Sequence, residues 1–248
     1  MRKKVIYTCL AGNYDILEEP QYIMEDWEYI CFSNDLSQTE NSVWEIRKIP
    51  FHDNDKRRLS RYAKLLPHKV LADFDTSIYI DSNIIILSGI LENRVKELEQ
   101  NDVLVAIAQH PERNCIYEEA KACVDRGLES NDIVQKQMKF YKTQGFPENF
   151  GLYENNIIYR QHNNSKIVEL DKAWWNLYIT YSQRDQLSLA FLLWKLDLKC
   201  SSLFEDGFNI RKSEDFKYKS HDLTLKSRIK RKINVLKSRI SNTFTYNK

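Results

Sequence analysis

Ser77-Ile78-Tyr79-Ile80-Asp81-Ser82-Asn83-Ile84-Ile85-Ile86 reads as a buried β-strand broken by a polar step. Apolar, β-branched residues on both sides favour a strand, and Asp-Ser-Asn interrupts it. Two readings of the break stand side by side. As a site, Asp81 and Asn83 offer oxygen ligands to a hard divalent cation, Mn2+ or Mg2+, whose remaining ligands are often phosphate oxygens. As structure, Asp, Ser and Asn form turns readily, because their side chains bond the local backbone.

Working outward, strands alternate with helices. Val5-Ile6-Tyr7-Thr8-Cys9-Leu10 is an apolar run closed by Ala11-Gly12-Asn13-Tyr14-Asp15, and Trp27-Glu28-Tyr29-Ile30-Cys31-Phe32 ends in the same way at Ser33-Asn34-Asp35. Trp44 to Ile49 alternates apolar and charged residues, which predicts a third strand stopped by Pro50. From Lys56 the period becomes helical, with Leu59, Tyr62, Ala63, Leu66 and Val70 on one face and Pro67 expected to end or kink the helix. A helix through Leu91, Val95 and Leu98 precedes the strand Val103 to Ala108. Helices are expected near 115–127 and 131–144, a strand over Asn156 to Gln161, and helices over Lys166 to Tyr181 and Asp185 to Lys195.

This alternation predicts an α/β fold, a mostly parallel, Rossmann-like central sheet with helices on both faces. One domain spans 1–210, and a tail spans 211–248. In open α/β sheets, ligands bind outside the carboxyl ends of the strands. The loops at 11–15, 33–35, 81–83 and 109–113 are therefore expected to converge, which strengthens the site reading of Asp81.

Composition narrows the class. Hydrophobic residues at 42% and charged residues at 29% exclude a disordered or fibrous chain. Five cysteines, at 9, 31, 115, 123 and 200, form no Cys-x-x-Cys pair and leave one over. That pattern argues against a zinc knuckle or a disulfide framework and for a reducing compartment. The basic start Met1-Arg2-Lys3-Lys4 is followed by too short an apolar run for a signal peptide, so a first strand is expected. No run reaches the roughly 18 apolar residues of a spanning helix.

The net charge of +2 is uneven: residues 211–248 hold twelve Lys or Arg against three Asp or Glu, a local excess of +9 that leaves about −7 for the rest. Leu225, Ile229, Ile233, Leu236 and Ile240 recur at helical spacing among these charges, giving a basic amphipathic helix near 222–241. Such a helix suits peripheral contact with an anionic membrane surface; it equally suits packing on the main domain or on a second subunit. Confinement of the charge to this segment, with little aromatic interleaving, argues against nucleic acid as the partner.

Five motifs then occur in series. They are Thr8-x-x-x-Gly12-Asn13-Tyr14-Asp15; Arg58-x-x-Arg61-x-x-Lys64-x-x-Pro67-His68; Tyr79-x-Asp81-Ser82-Asn83; His110-Pro111-x-Arg113-x-Cys115-x-Tyr117-Glu118-Glu119; and Arg184-Asp185-Gln186. Together, over roughly residues 3–210, they resemble the glycosyltransferase-like proteins of GT-A fold found in bacterial surface-polysaccharide clusters and among plant Golgi proteins. The resemblance implies transfer of a sugar from a nucleotide-sugar donor, UDP-sugar favoured, to a glycan or lipid-linked acceptor. The setting implied is lipopolysaccharide or capsule assembly in the cytoplasm, at the inner face of the cytoplasmic membrane. A non-catalytic nucleotide- or glycan-binding protein on the same fold is the alternative. Asn83 stands where GT-A enzymes commonly carry a second Asp, which removes one ligand charge from the implied metal site.

On that footing the residues take candidate roles. Arg58, Arg61 and Lys64, spaced by three on a helix, would meet the diphosphate, or else form a solvated helix face. Asn13, Tyr14, Asp35 and Ser82 would hold the donor, with a plain turn as the other account of Asp35. His110, Arg113, Glu118 and Gln186 would bind acceptor or sugar; Glu118 and Glu119, adjacent in a helix, cannot both face inward. Asp185 is the candidate catalytic carboxylate that takes the acceptor hydroxyl's proton, or an ordinary helix N-cap. Asp81, Asn83 and His221 are the candidate metal ligands. Trp174, Trp175 and Tyr178 offer faces for sugar stacking or, more commonly for aromatics at such spacing, belong to the core.

Overall fold

The computed structural model describes residues 3–12 and 16–219. Asn13, Tyr14, His221 and the expected 222–241 helix lie outside them.

Strands β1 (Lys4–Cys9), β2 (Trp27–Phe32) and β3 (Glu45–Arg47) open the chain. Helices α1 (Lys56–Leu65) and α2 (Pro67–Val70) lead to β4 (Thr76–Ile80) and β5 (Ile84–Ile86). Helix α3 (Ile90–Gln100) and β6 (Val105–Gln109) follow, then α4 (Ile116–Asp125), α5 (Asn131–Thr143), β7 (Tyr153–Arg160), α6 (Ser165–Thr180) and α7 (Gln186–Lys195). Two short strands, β8 (Ser201–Ser202) and β9 (Phe216–Tyr218), complete the described chain.

The main sheet has the order β3-β2-β1-β4-β7-β6-β8. Pairing is parallel throughout except at β7, which runs antiparallel to both β4 and β6. The α/β, mostly parallel sheet expected from the sequence is therefore what forms. Side chains alternate between two apolar layers. Val5, Tyr7, Ile107 and Ile158 pack under α1 and α4 to α7. Ile6, Ile78, Ala106 and Ile157 face α3 and the 203–216 segment.

Pro67 splits the expected helix, as its ring and missing N–H require: α1 stops at Leu65, and Pro67 begins α2. The chain on the two sides of the Asp-Ser-Asn break belongs to different sheets. β4 sits centrally in the main sheet, whereas β5 pairs antiparallel with β9. The Ile84 N–H donates to the Asp81 carbonyl at 3.0 Å, so the break is a turn in which the chain leaves the main sheet. β9 lies beyond residue 210, so the folded unit runs at least to Tyr218. Three residues with one buried Phe carry too little pattern to mark such a strand in the sequence. β7 likewise begins at Tyr153, three residues before the expected Asn156, because polar Glu154, Asn155 and Asn156 are buried within it.

Candidate active site

The chemistry gathers at the carboxyl ends of β1, β2, β4 and β6. After β1, the Gly12 N–H donates to Asp35 Oδ2, in the loop after β2, at 2.6 Å. Gly12 has φ +81°, a left-handed conformation for which glycine is suited. Asp35 also lies 3.7 Å from Lys56 Nζ at the start of α1. Asp35 thus ties together the two loops expected to hold a nucleoside.

Beside them, after β4, stands a compact ionic group. Lys64 Nζ lies 2.8 Å from Asp185 Oδ2 and 3.4 Å from Asp81 Oδ1. Arg61 Nε lies 3.5 Å from the same Asp185 oxygen. The Tyr79 hydroxyl donates to Asp81 Oδ1 at 2.9 Å, and the Lys64 ammonium sits 4.7 Å from the Tyr79 ring centroid. Lys64 is 2% exposed and Asp185 9%, while Asp81 keeps 30% of its side chain open to solvent. Two cations and two carboxylates balance in charge, and the open edge of the group is Asp81 with Arg61.

Electrostatics shift Asp185, Arg61 and Tyr79 within this group. Burial alone would raise the Asp185 carboxyl, but the Lys64 and Arg61 charges outweigh it and keep the group well below the usual carboxylate range. Burial opposes the Arg61 charge, yet Asp185 and its neighbours raise the guanidinium above its ordinary value. Burial and the neighbouring Asp81 carboxylate raise the Tyr79 phenol well above its ordinary value, so it stays a donor.

Asp185 immediately precedes α7, yet its side chain makes no capping bond. It points to the α1 cations, which removes the N-cap explanation. Its carbonyl accepts from the Trp174 indole N–H at 2.9 Å. Trp174 and Tyr178 are fully buried, and Trp175 packs edge-on against Phe51 and Tyr62, so this aromatic group belongs to the core.

A deeper layer fixes Lys64. Arg160, the last residue of β7 and wholly buried, donates to the Lys64 carbonyl and the Tyr7 hydroxyl at 2.6 Å each. It pairs with equally buried Asp171 at 2.8 Å. Sequence reasoning placed Tyr79 in a motif without giving it a role, and missed Arg160 and Asp171. The signals were there: Tyr79 and Asp81 are two apart across a strand end, hence on one face, and an Arg after Ile-Ile-Tyr in a buried strand demands a partner.

Arg58 does not join the group. Its guanidinium lies 3.5 Å from Asp53 and is partly exposed. Residues spaced by three rotate about 60° per step around a helix, so Arg58 and Lys64 stand about 120° apart, too far to share a ligand.

A cleft of about 490 Å³ opens after β6, lined by His110, Arg113, Glu118, Phe150 and Tyr153 among others. Arg113 Nε donates to Glu119 Oε2 at 2.7 Å, with Glu119 buried while Glu118 faces the cleft. The adjacent glutamates divide as expected. His110 Nδ1 accepts the Glu112 and Arg113 N–H groups at 3.1 Å each. Burial first, then the Arg113 charge, lowers His110 below its ordinary value and keeps it neutral. Gln186 donates to the Tyr153 carbonyl at 2.8 Å, linking the ionic group to the cleft wall.

The implied metal fares less well. Asn83 Nδ2 donates to the Lys219 carbonyl at 2.7 Å, fastening the turn to the chain after β9. Asp81 already meets Lys64 and Tyr79, and no cluster of three His, Cys, Asp or Glu able to hold a metal occurs among the described residues. Asn83 Oδ1 has no partner and Asp81 is open to solvent, so these two could offer oxygens to a divalent cation only if further ligands came from outside the described residues, and no chemical step is routed through one. Nor is any helix among the described residues long and apolar enough to cross a membrane.

Comparison with known proteins gives a family match and more distant likenesses. Residues 1–221 match the family described as TOD1/MUCI70, glycosyltransferase-like domain. The chain is 25% identical over 233 residues to the probable hexosyltransferase MUCI70 of Arabidopsis thaliana, covering 82% of this chain and 39% of that protein. It thus spans about two fifths of the length of that relative. Among solved structures, the WbbM bifunctional glycosyltransferase in its apo form is similar at 12% identity and a TM-score of 0.47, over 96% of this chain and 44% of that one. The apo form of mouse xyloside xylosyltransferase 1 is similar at 9% identity and a TM-score of 0.44, over 81% of this chain and 84% of that one.

Proposed function

The chain belongs to the TOD1/MUCI70 glycosyltransferase-like family, and from that premise we propose that it transfers a sugar from a nucleotide-sugar donor to a glycan or lipid-linked acceptor. One observation carries the reading: Lys64, held between Asp185 and Asp81 at a sheet edge that also opens onto a polar cleft.

Departure of a nucleoside diphosphate builds negative charge that must be met where it develops. Arg61 and Lys64 are the cations placed to meet it, pre-oriented by Asp185. In the free protein these cations make Asp185 a weak base. When diphosphate draws them off, the depression of the Asp185 carboxyl is relieved, and the carboxylate can take the proton of an acceptor hydroxyl if configuration inverts. Asp35, with Asn13 and Tyr14, would hold the nucleoside, and His110, Arg113 and Glu118 the acceptor.

The narrower setting, lipopolysaccharide or capsule assembly at the inner face of the cytoplasmic membrane, is part of the same proposal. Its support is the resemblance and the basic 222–241 segment. A thermal-shift panel of nucleoside diphosphates and nucleotide sugars, with and without Mn2+, tests the donor reading. A selective shift names the donor class; no shift with any of them contradicts nucleotide binding.

A further inference from the structure

Asn155 is the most exceptional polar residue near the site. It is 6% exposed, and neither Oδ1 nor Nδ2 of its amide has a hydrogen-bond partner. A buried amide left unpaired on both sides opposes folding, and such groups call for a specific explanation.

Its place in the sheet supplies one. Ile107 pairs with Ile158, but the next β6 residue, Ala108, pairs with Glu154, so residues 155–157 of β7 bulge against a single β6 step. Bulges redirect side chains beside functional sites. The neighbours of Asn155 are committed: Glu154 pairs with Arg211, the Asn156 amide donates to Glu154 at 3.3 Å, and the Asn156 carbonyl accepts the Asp81 N–H at 2.8 Å.

Sheet order then sets out the ligand. Asp35 follows β2 and Asp81 follows β4; Asn155 lies in β7, next to β4, and the polar cleft opens after β6 beyond it. A donor with its nucleoside at Asp35 and its diphosphate at Arg61 and Lys64 would carry its sugar to β7. An amide with one free acceptor and one free donor matches the hydroxyls of a sugar, which donate and accept; a phosphate only accepts.

Resting on the proposed sugar transfer, we infer that Asn155 is a specificity-determining residue that hydrogen-bonds hydroxyls of the transferred sugar. A site built to pair hydroxyls discriminates strongly against ligands that lack them.

The test is calorimetric binding of UDP and UDP-glucose, or of whichever nucleoside diphosphate and hexose conjugate the thermal-shift panel selects, to wild-type protein and Asn155→Leu. The expected result is a loss of at least about tenfold in nucleotide-sugar affinity with nucleoside diphosphate affinity unchanged. Equal losses for both ligands assign Asn155 to the base or to the fold, and no loss for either makes its amide idle; both results overturn the inference while leaving nucleotide binding intact. Wild-type protein that binds neither ligand overturns the parent reading and this one with it. If Asn155→Leu does not fold, Asn155→Asp, similar in size but without the amide donor, is measured against the same expectations.

Discussion

Lys64 Nζ lies 2.8 Å from Asp185 Oδ2, with both side chains almost wholly removed from solvent. The two residues lie 121 positions apart in sequence, so the pair joins α1 to the residue that precedes α7. Removing one partner strands the other as a buried charge. Lys64→Met is expected to lower stability by about 3–5 kcal/mol, the usual cost of breaking a buried pair, and to abolish nucleoside diphosphate binding. Urea denaturation beside calorimetric titration reads both; full affinity in a folded Lys64→Met protein contradicts the phosphate role.

The same pair sets a pH dependence. The folded Asp185 carboxyl lies below its ordinary value of 3.8, so its stabilisation is fully present above about pH 4 and is lost as pH falls toward the lower folded value. Asp185→Asn removes that contribution. The stability gap between wild type and Asp185→Asn is therefore expected to be constant from pH 5 to 7 and to shrink below about pH 4 in urea titrations. A gap that stays constant down to pH 2.5 contradicts the ionised, cation-held carboxylate.

Arg160 and Asp171 are both fully buried, and Arg160 also bonds the Lys64 carbonyl. Asp171→Asn leaves the guanidinium uncompensated and is expected to cost about 3–5 kcal/mol in denaturant unfolding. A loss below about 1 kcal/mol, the range of exposed pairs, would contradict the buried ion pair.

Metal dependence separates two accounts of the leaving group. With Arg61 and Lys64 meeting the charge, donor turnover is expected to persist in EDTA and to gain nothing from Mn2+. Loss of turnover on chelation, restored by Mn2+ and sensitive to His221→Ala, would instead support the cation implied by the family resemblance.

Much of this arrangement was legible in the chain. Long apolar runs such as Val5 to Leu10, and the helical period from Lys56, specify their elements locally, and the rule that ligands sit at strand carboxyl ends brought Asp35, Asp81 and His110 to one edge. Asp81 and Asp185 were singled out separately, but no spacing reveals that Lys64 bridges them, because that contact is set by how α1 packs against α6, and α6 against α7. Arg58 shows the opposite failure: spacing by three suggested a shared face, and accumulated helical rotation turned it to Asp53. The bond from the Asn83 amide nitrogen to the Lys219 carbonyl, 136 residues away on a strand extension too short to show a pattern, could not be read from the sequence. Asn155 drew no notice, since an Asn in a strand is informative only once its burial is known.

The most direct test of the central claim is release of nucleoside diphosphate from a panel of nucleotide sugars, by wild-type protein and by Asp185→Asn. Selective hydrolysis or transfer from one donor class, reduced at least about 100-fold in a folded Asp185→Asn protein, is the predicted result. No release from any donor, with or without Mn2+ and acceptor glycans, or equal release by both proteins, would contradict it.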